Sequence, residues 1–316
     1  MKLLKQSYKI AGRFFLSVMV ITSSIMVSCT PDNRGQSFPE DEIRERIDAF
    51  QGDAGLYVYH LDSGFEFTIH PDTVFPTAST VKIPIMIGLF DKIERGEIEY
   101  TQVFQYSDEH ADPWGDDIIN QLPEGTGVEL NRLIHLMMST SNNTASLWNQ
   151  YIAGTGTEIN NLMDQKGFSD TKVNSRTPGR EQIWEEYGWG HSTPRELARL
   201  LLNIYKGEMI SPGASEKMYR IMGRNFWDGE ALSQIPPYVN VASKNGSVAR
   251  SKSEVLLVNA PSGDYLFALM TKNQEDRGSE YDNEGFVLLR EISAILYNHF
   301  EPEDHWTPEI GTARNH

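Results

Sequence analysis

Ser79 and Lys82 stand three residues apart at the head of the apolar run Ile83 to Phe90, so on a helix a hydroxyl and an amine share one face. If that helix starts near Ser79, its free N–H groups and positive dipole end lie under both side chains. They favour an alkoxide and oppose a second positive charge on the lysine. The pair then suits a nucleophile with its own base. Pro84 agrees with this placement, because proline is tolerated in a first helical turn and disruptive deeper in. Two later segments carry the same kinds of groups. Ser139-Thr140-Ser141-Asn142-Asn143-Thr144-Ala145-Ser146 is a polar knot between apolar stretches, which a capped turn alone would also explain. Ala242-Ser243-Lys244-Asn245-Gly246-Ser247 places a lysine where a strand edge would carry one as a solvated charge.

The elements that must position these groups can be read from the rest of the chain. Its 316 residues are long enough for one large domain or two lobes, and 39% hydrophobic and 23% charged residues describe an ordinary globule. A formal charge of −16 excludes a nucleic-acid partner, which needs a basic face. The first 28 residues differ. Lys2, Lys5, Lys9 and Arg13 precede an almost uncharged run that is short for a membrane span, and together they have the layout of an export signal peptide. Its removal takes away four positive and no negative charges and moves the formal charge from −16 to −20. Cys29 is the only cysteine and follows Met26-Val27-Ser28. Small residues followed by cysteine resemble a bacterial lipoprotein processing site, which implies a lipid on Cys29; a plain signal peptide or a retained anchor are the alternatives. The polar residues 29–38 suit a tether between lipid and folded body.

From Pro39-Glu40-Asp41-Glu42 a helix can begin, acids first, with Ile43, Ile47 and Phe50 on one stripe. Ala54 to His60 and Phe65 to Ile69, joined by Asp62-Ser63-Gly64, read as a hairpin. Residues 100–205 read as helices and long loops. Thr126 is expected to cap a helix through Met138, and Thr193-Pro194 to open another. Ala214 to Met222 forms a third helix. Glu254 to Val258 and Tyr265 to Met270 form a late hairpin, and Glu284 to Phe300 a closing helix. The fold class is therefore α/β of the α+β type. An antiparallel sheet built from both termini is flanked by helices, with an all-helical second lobe at about residues 98–205. The folded domain is expected at 39–302, with a polar tail at 303–316. His110, His135 and His191 show no partner pattern and read as structural or surface residues, and no metal-spaced cluster is apparent.

Taken together, Ser79-Thr80-Val81-Lys82, Ser141-Asn142-Asn143 and Lys244-Asn245-Gly246 resemble the S-x-x-K, S-D-N and K-T-G signature of class A β-lactamases and penicillin-binding proteins. The resemblance covers about residues 40–300. It implies that Ser79 is the acylated nucleophile and Lys82 its proton acceptor, with Ser141 passing a proton to the leaving nitrogen. It further implies that Asn143 holds the substrate's amide arm and Lys244 faces its carboxylate, with Asn245, Gly246 and Ser247 lining the substrate. The N–H groups of Ser79 and Ser247 would form an oxyanion hole. Trp114 would wall the cleft, although a core position suits a tryptophan as well.

Two motif positions depart from the pattern. Asn142 stands for aspartate, nearly isosteric but neutral, and Asn245 for a hydroxyl residue, which puts recognition of a substrate carboxylate in doubt. A third departure lies in the loop where class A enzymes hold a water-activating glutamate. Arg176 matches the loop's anchoring arginine, yet Pro178 stands where the glutamate would be. Glu181 is the expected substitute, unless it only pairs with Arg176 or Arg180; Glu185 and Glu186 follow it. The resemblance implies an enzyme of the bacterial envelope, lipid-anchored and periplasm-facing. It is expected to be a monomer without cofactor or metal, with a small molecule as partner. Three activities fit: hydrolysis of β-lactams, D-Ala-D-Ala peptidase or transpeptidase action, and non-catalytic binding of penicillin or wall fragments.

Overall fold

The computed structural model describes residues 37–308 except 114 and 116. The expected signal peptide, Cys29 and Trp114 lie outside the described residues. Helix α1 (Glu40–Ala49) buries Ile43 and Ile47 and is followed by strands β1 (Asp53–His60), β2 (Glu66–Ile69) and β3 (Phe75–Pro76). A 3₁₀ turn (Ala78–Val81) runs into α2 (Lys82–Glu94). Then come β4 (Val103–Gln105), β5 (Gly127–Glu129), α3 (Leu130–Ser139), α4 (Asn143–Ile152) and α5 (Thr155–Gln165). The next stretch carries β6 (Lys172–Val173), α6 (Glu181–Tyr187), β7 (Gly190–Ser192), α7 (Pro194–Tyr205) and α8 (Pro212–Met222). Strands β8 (Asn240–Val248), β9 (Ser251–Asn259) and β10 (Tyr265–Lys272) precede α9 (Glu284–Phe300).

The main sheet is antiparallel in the order β2-β1-β10-β9-β8. Its first and last strands in sequence meet in register from Asp53 opposite Lys272 to His60 opposite Tyr265, so both ends of the chain build it. Both faces are covered. Leu56, Val58, Leu256, Val258, Phe267 and Leu269 join Ile43, Leu289, Ile292 and Leu296 in one core. The alternate residues Tyr57, Val255, Leu257, Leu266, Ala268 and Met270 join Ile85, Leu133, Trp148, Leu197 and Met218 in the other. Two-sided burial explains why β9 and β10 read as continuous apolar runs rather than alternating ones.

The expected helices and hairpins stand where the sequence placed them, with one correction. Thr126 does not cap α3. Its N–H and hydroxyl both bond to the Pro123 carbonyl, and residues 127–129 pair with 103–105 as a short ribbon before the helix begins. Gly125, at φ 80°, makes the turn that directs the chain there. The stretch read as helices and loops therefore also holds β4 to β7, with β3-β7-β6 forming a small sheet of its own.

Candidate active site

Ser79 sits on the 3₁₀ turn and Lys82 opens α2, so the two side chains project from one continuous helical start. Lys82 is completely buried, and its Nζ lies 3.1 Å from Ser79 Oγ, 3.0 Å from Ser141 Oγ and 2.9 Å from Asn143 Oδ1, with the Ser141 carbonyl closer still. The carbonyl and the amide oxygen can only accept, and they take two N–H donors. A neutral amine has only two, which leaves its lone pair for a hydroxyl that donates. Burial pushes the Lys82 ammonium well below its ordinary value, and repulsion from Lys244 adds to this, while Asp112 and Asp117 oppose it. The arrangement thus leaves a neutral Lys82 amine with its lone pair open to the Ser79 or Ser141 hydroxyl.

Backbone strain holds the hydroxyls in place. Ala78 (φ 45°) and Ser141 (φ 58°) both occupy the left-handed region that β-carbon sterics disfavour, one beside Ser79 and the other at the second hydroxyl itself. Asn142 caps α4 by accepting from the Ala145 N–H at 2.7 Å. The aspartate-to-asparagine departure therefore keeps the capping bond and drops the charge. Asn143 Nδ2 donates to Asp112 Oδ2 at 3.1 Å, which fixes the amide with its oxygen toward Lys82. Asp112, buried here, belongs to none of the three motifs.

Strand β8 crosses the 3₁₀ turn so closely that a Cβ on Gly246 would lie 2.7 Å from both Ser79 N and the Thr77 carbonyl. Only glycine fits this crossing. Lys244 is fully buried, but its Nζ bonds to the Asn245 carbonyl at 2.7 Å and to Asn245 Oδ1 at 3.1 Å, not to Ser79 or Ser141. Its link to this cluster is one of charge, through its repulsion of the Lys82 ammonium.

The cleft in front of Ser79, about 650 Å³, is lined by Asp112, Asn143, Glu185, Glu186, Trp189, Ser247, Val248 and Arg250. Glu181 is not among its walls. Its side chain is exposed and accepts from the Gly179 N–H at 3.1 Å, tying the first turn of α6. Backbone N–H groups hold its carboxyl below the usual range. Instead, the helix that begins at Glu181 carries Glu185 and Glu186 to the cleft. Arg176 (φ 46°) donates to the carbonyls of Glu109 and Ala111, both at 2.7 Å, and pins this segment to the loop that ends in Asp112. Arg180 donates to Asn174 at 2.9 Å, so neither arginine is tied to Glu181 by a described salt bridge.

A model described as the β-lactamase enzyme family matches residues 39–300. The chain belongs to that family. Among curated relatives it is 20% identical over 258 residues to β-lactamase VEB-1 of Pseudomonas aeruginosa, covering 78% of this chain and 85% of the relative. It is 32% identical over 220 residues to the β-lactamase regulatory protein BlaB of Streptomyces cacaoi, covering 69% of this chain and 62% of that one. The fold superposes on PBP-A with a TM-score of 0.74 at 26% identity, covering 83% of this chain and 96% of the other. A class A β-lactamase from Mycobacterium abscessus gives 0.72 at 21%, covering 82% and 98%. The α+β architecture is accordingly that of the β-lactamase and penicillin-binding protein-like serine hydrolases.

Proposed function

We propose that this β-lactamase family member opens β-lactam amide bonds through an acyl-enzyme on Ser79. The observation that carries the reading is the buried Lys82 amine held between two hydroxyls and two pure acceptors. The Ser79 proton passes to Lys82 Nζ as Oγ attacks the carbonyl carbon. The developing oxyanion is received by the N–H groups of Ser79 and Ser247, each worth about 3 to 4 kcal/mol in comparable sites. The ring C–N bond then breaks, and the nitrogen takes a proton through the Ser141 hydroxyl. Asn143 holds the acyl arm. Water completes the cycle by hydrolysing the Ser79 ester, with Glu185 or Glu186 as the carboxylate at hand.

A second reading, D-Ala-D-Ala peptidase or transpeptidase action, is favoured by Pro178 in the loop and by the exposed position of Glu181. It requires the same acylation and no dedicated deacylating carboxylate. Among the neighbours, a point variant of PBP-A carries an acyl-enzyme with penicillin G. Incubation with a chromogenic cephalosporin and a fluorescent penicillin separates the readings. Turnover supports hydrolysis, a lasting adduct that disappears in Ser79→Ala supports the peptidase, and no labelling leaves a binding lipoprotein. We also propose export and lipid attachment at Cys29, anchoring the enzyme facing the periplasm. Metabolic labelling with a radioactive fatty acid should mark the wild type and not Cys29→Ala, and equal labelling of both would refute it.

A further inference from the structure

Strand β8 forms one edge of the main sheet, and its alternate residues face opposite ways. Lys244 and Gly246 share the parity of Ala242, on the Ser79 side, whereas Asn245 shares that of Val241, on the α9 side. Directly across from Asn245 stands Glu254 on β9, completely buried. The Ala231 N–H donates to Glu254 Oε2 at 2.8 Å, which brings Glu230 against the same spot. Two carboxyl groups therefore come close together, Glu254 fully buried and Glu230 half-buried. Each has one oxygen closed off from solvent and without a partner, Oε2 on Glu230 and Oε1 on Glu254. Two ionised carboxylates with orphaned oxygens cannot persist in such a site, and one proton held between them satisfies both.

We infer that Glu230 and Glu254 share a single proton and that the remaining negative charge, relayed by the Asn245 amide, holds Lys244 as the fixed positive charge beside the Lys82 amine. The pair are positioning residues for acylation, and this role rests on the acyl-transfer reading above. The Asn245 amide oxygen accepts from Lys244 Nζ at 3.1 Å, and the same side chain favours the charged form of Glu230. The groups facing the pair are Lys244, Lys252 and Arg290, all positive. Those facing Lys82 are Lys244, Asp112 and Asp117. Burial raises both carboxyls, and mutual repulsion raises Glu254 further. Burial also lowers Lys244 to about 8, against the attraction of Glu230 and Glu254. Without their charge it would lose its proton at a lower pH.

The test is the pH profile of fluorescent-penicillin labelling of the full chain, together with infrared difference spectra of its carboxyl groups. The wild-type labelling rate should fall on the alkaline side, near pH 8, where Lys244 discharges. Glu230→Gln combined with Glu254→Gln removes the one negative charge of the pair and should move that fall down by about one pH unit, whereas Glu230→Gln alone leaves Glu254 ionised and should leave the fall in place. The wild type should show a protonated carboxyl band near neutral pH that Glu254→Gln removes. An alkaline limb unmoved in the folded double variant, a limb moved by Glu230→Gln alone, or no protonated carboxyl band in the wild type overturns the inference. Absence of any labelling of wild-type Ser79 would sink the acyl-transfer reading instead, and the infrared band would still decide whether the proton is shared.

Discussion

In the proposed reaction Lys82 is a base because of what surrounds it, and each neighbour can be tested singly. Lys82→Gln keeps a donor on a slightly shorter side chain but cannot take the Ser79 proton, so the labelling rate by fluorescent penicillin should fall by about 10² to 10⁴. The fold should be unchanged by circular dichroism. Gly246→Ala attacks the same chemistry from the other side. Its methyl would stand 2.7 Å from Ser79 N, so β8 must move away from the turn, at about 1 to 3 kcal/mol of stability and with most of the labelling lost. A variant that labels at the wild-type rate would show that the crossing of β8 over Ser79 is irrelevant to the reaction. At this scale the nucleophile, its lysine and the Ser141-Asn142-Asn143 turn could be read from the sequence, because each is a short contiguous pattern. Asp112, Glu230 and Glu254 could not. They reach the motifs only through tertiary packing, from segments whose own residues repeat nothing.

Between β6 and β7 the segment 174–189 forms one side of the cleft and depends on few ties. Arg176→Ala would remove two charge-assisted bonds to the carbonyls of Glu109 and Ala111, about 1.5 to 3 kcal/mol each at most and less for a partly exposed side chain. Limited proteolysis within 174–189 should become faster, with global unfolding little changed. His191 on β7 gives the same region a pH dependence. Burial lowers its imidazole to about 4, helped by Arg180 and Lys172, so the folded state prefers it neutral. The stability it protects is complete above the ordinary value near 6.5 and is lost as pH falls from there toward 4. The melting temperature should therefore drop across that range in the wild type and less steeply in His191→Gln; parallel curves would refute the assignment. Elements with strong periodicity and caps, such as α7 behind Thr193 and the closing α9, were legible. The two- and three-residue strands β3 to β7 were not, since so short a pairing leaves no period to read, and the capping role assigned to Thr126 failed for that reason. Glu181 failed differently. Its position in the sequence was suggestive, but one turn of α6 separates it from the residues that line the cleft.

Among the described residues, the sheet is the element that contributes to both cores. Leu269 points to the α1 and α9 side and Met270 to the α2 and α7 side, both fully buried. Either residue changed to alanine should cost about 2 to 5 kcal/mol. Each should shift a single urea transition rather than split it, because neither core keeps its floor without the sheet. Two separate transitions would mean that the helical side folds on its own. The fold class was legible because strand patterns cluster at both ends of the chain with helices between. Which face each strand residue serves was not, because strands buried on both sides lose their alternation.

The pairing of Asp53 with Lys272 also carries a consequence for how the protein comes into being. During synthesis β1 emerges some two hundred residues before β10, the strand that must lie beside it. Until then the N-terminal hairpin has an open edge and no lasting neighbour, and closing so long a loop is slow. Ser79 and Lys82 leave the ribosome early, yet Gly246, which presses on that turn, comes late. A nascent chain halted before Tyr265 should carry its nucleophile and be unable to use it.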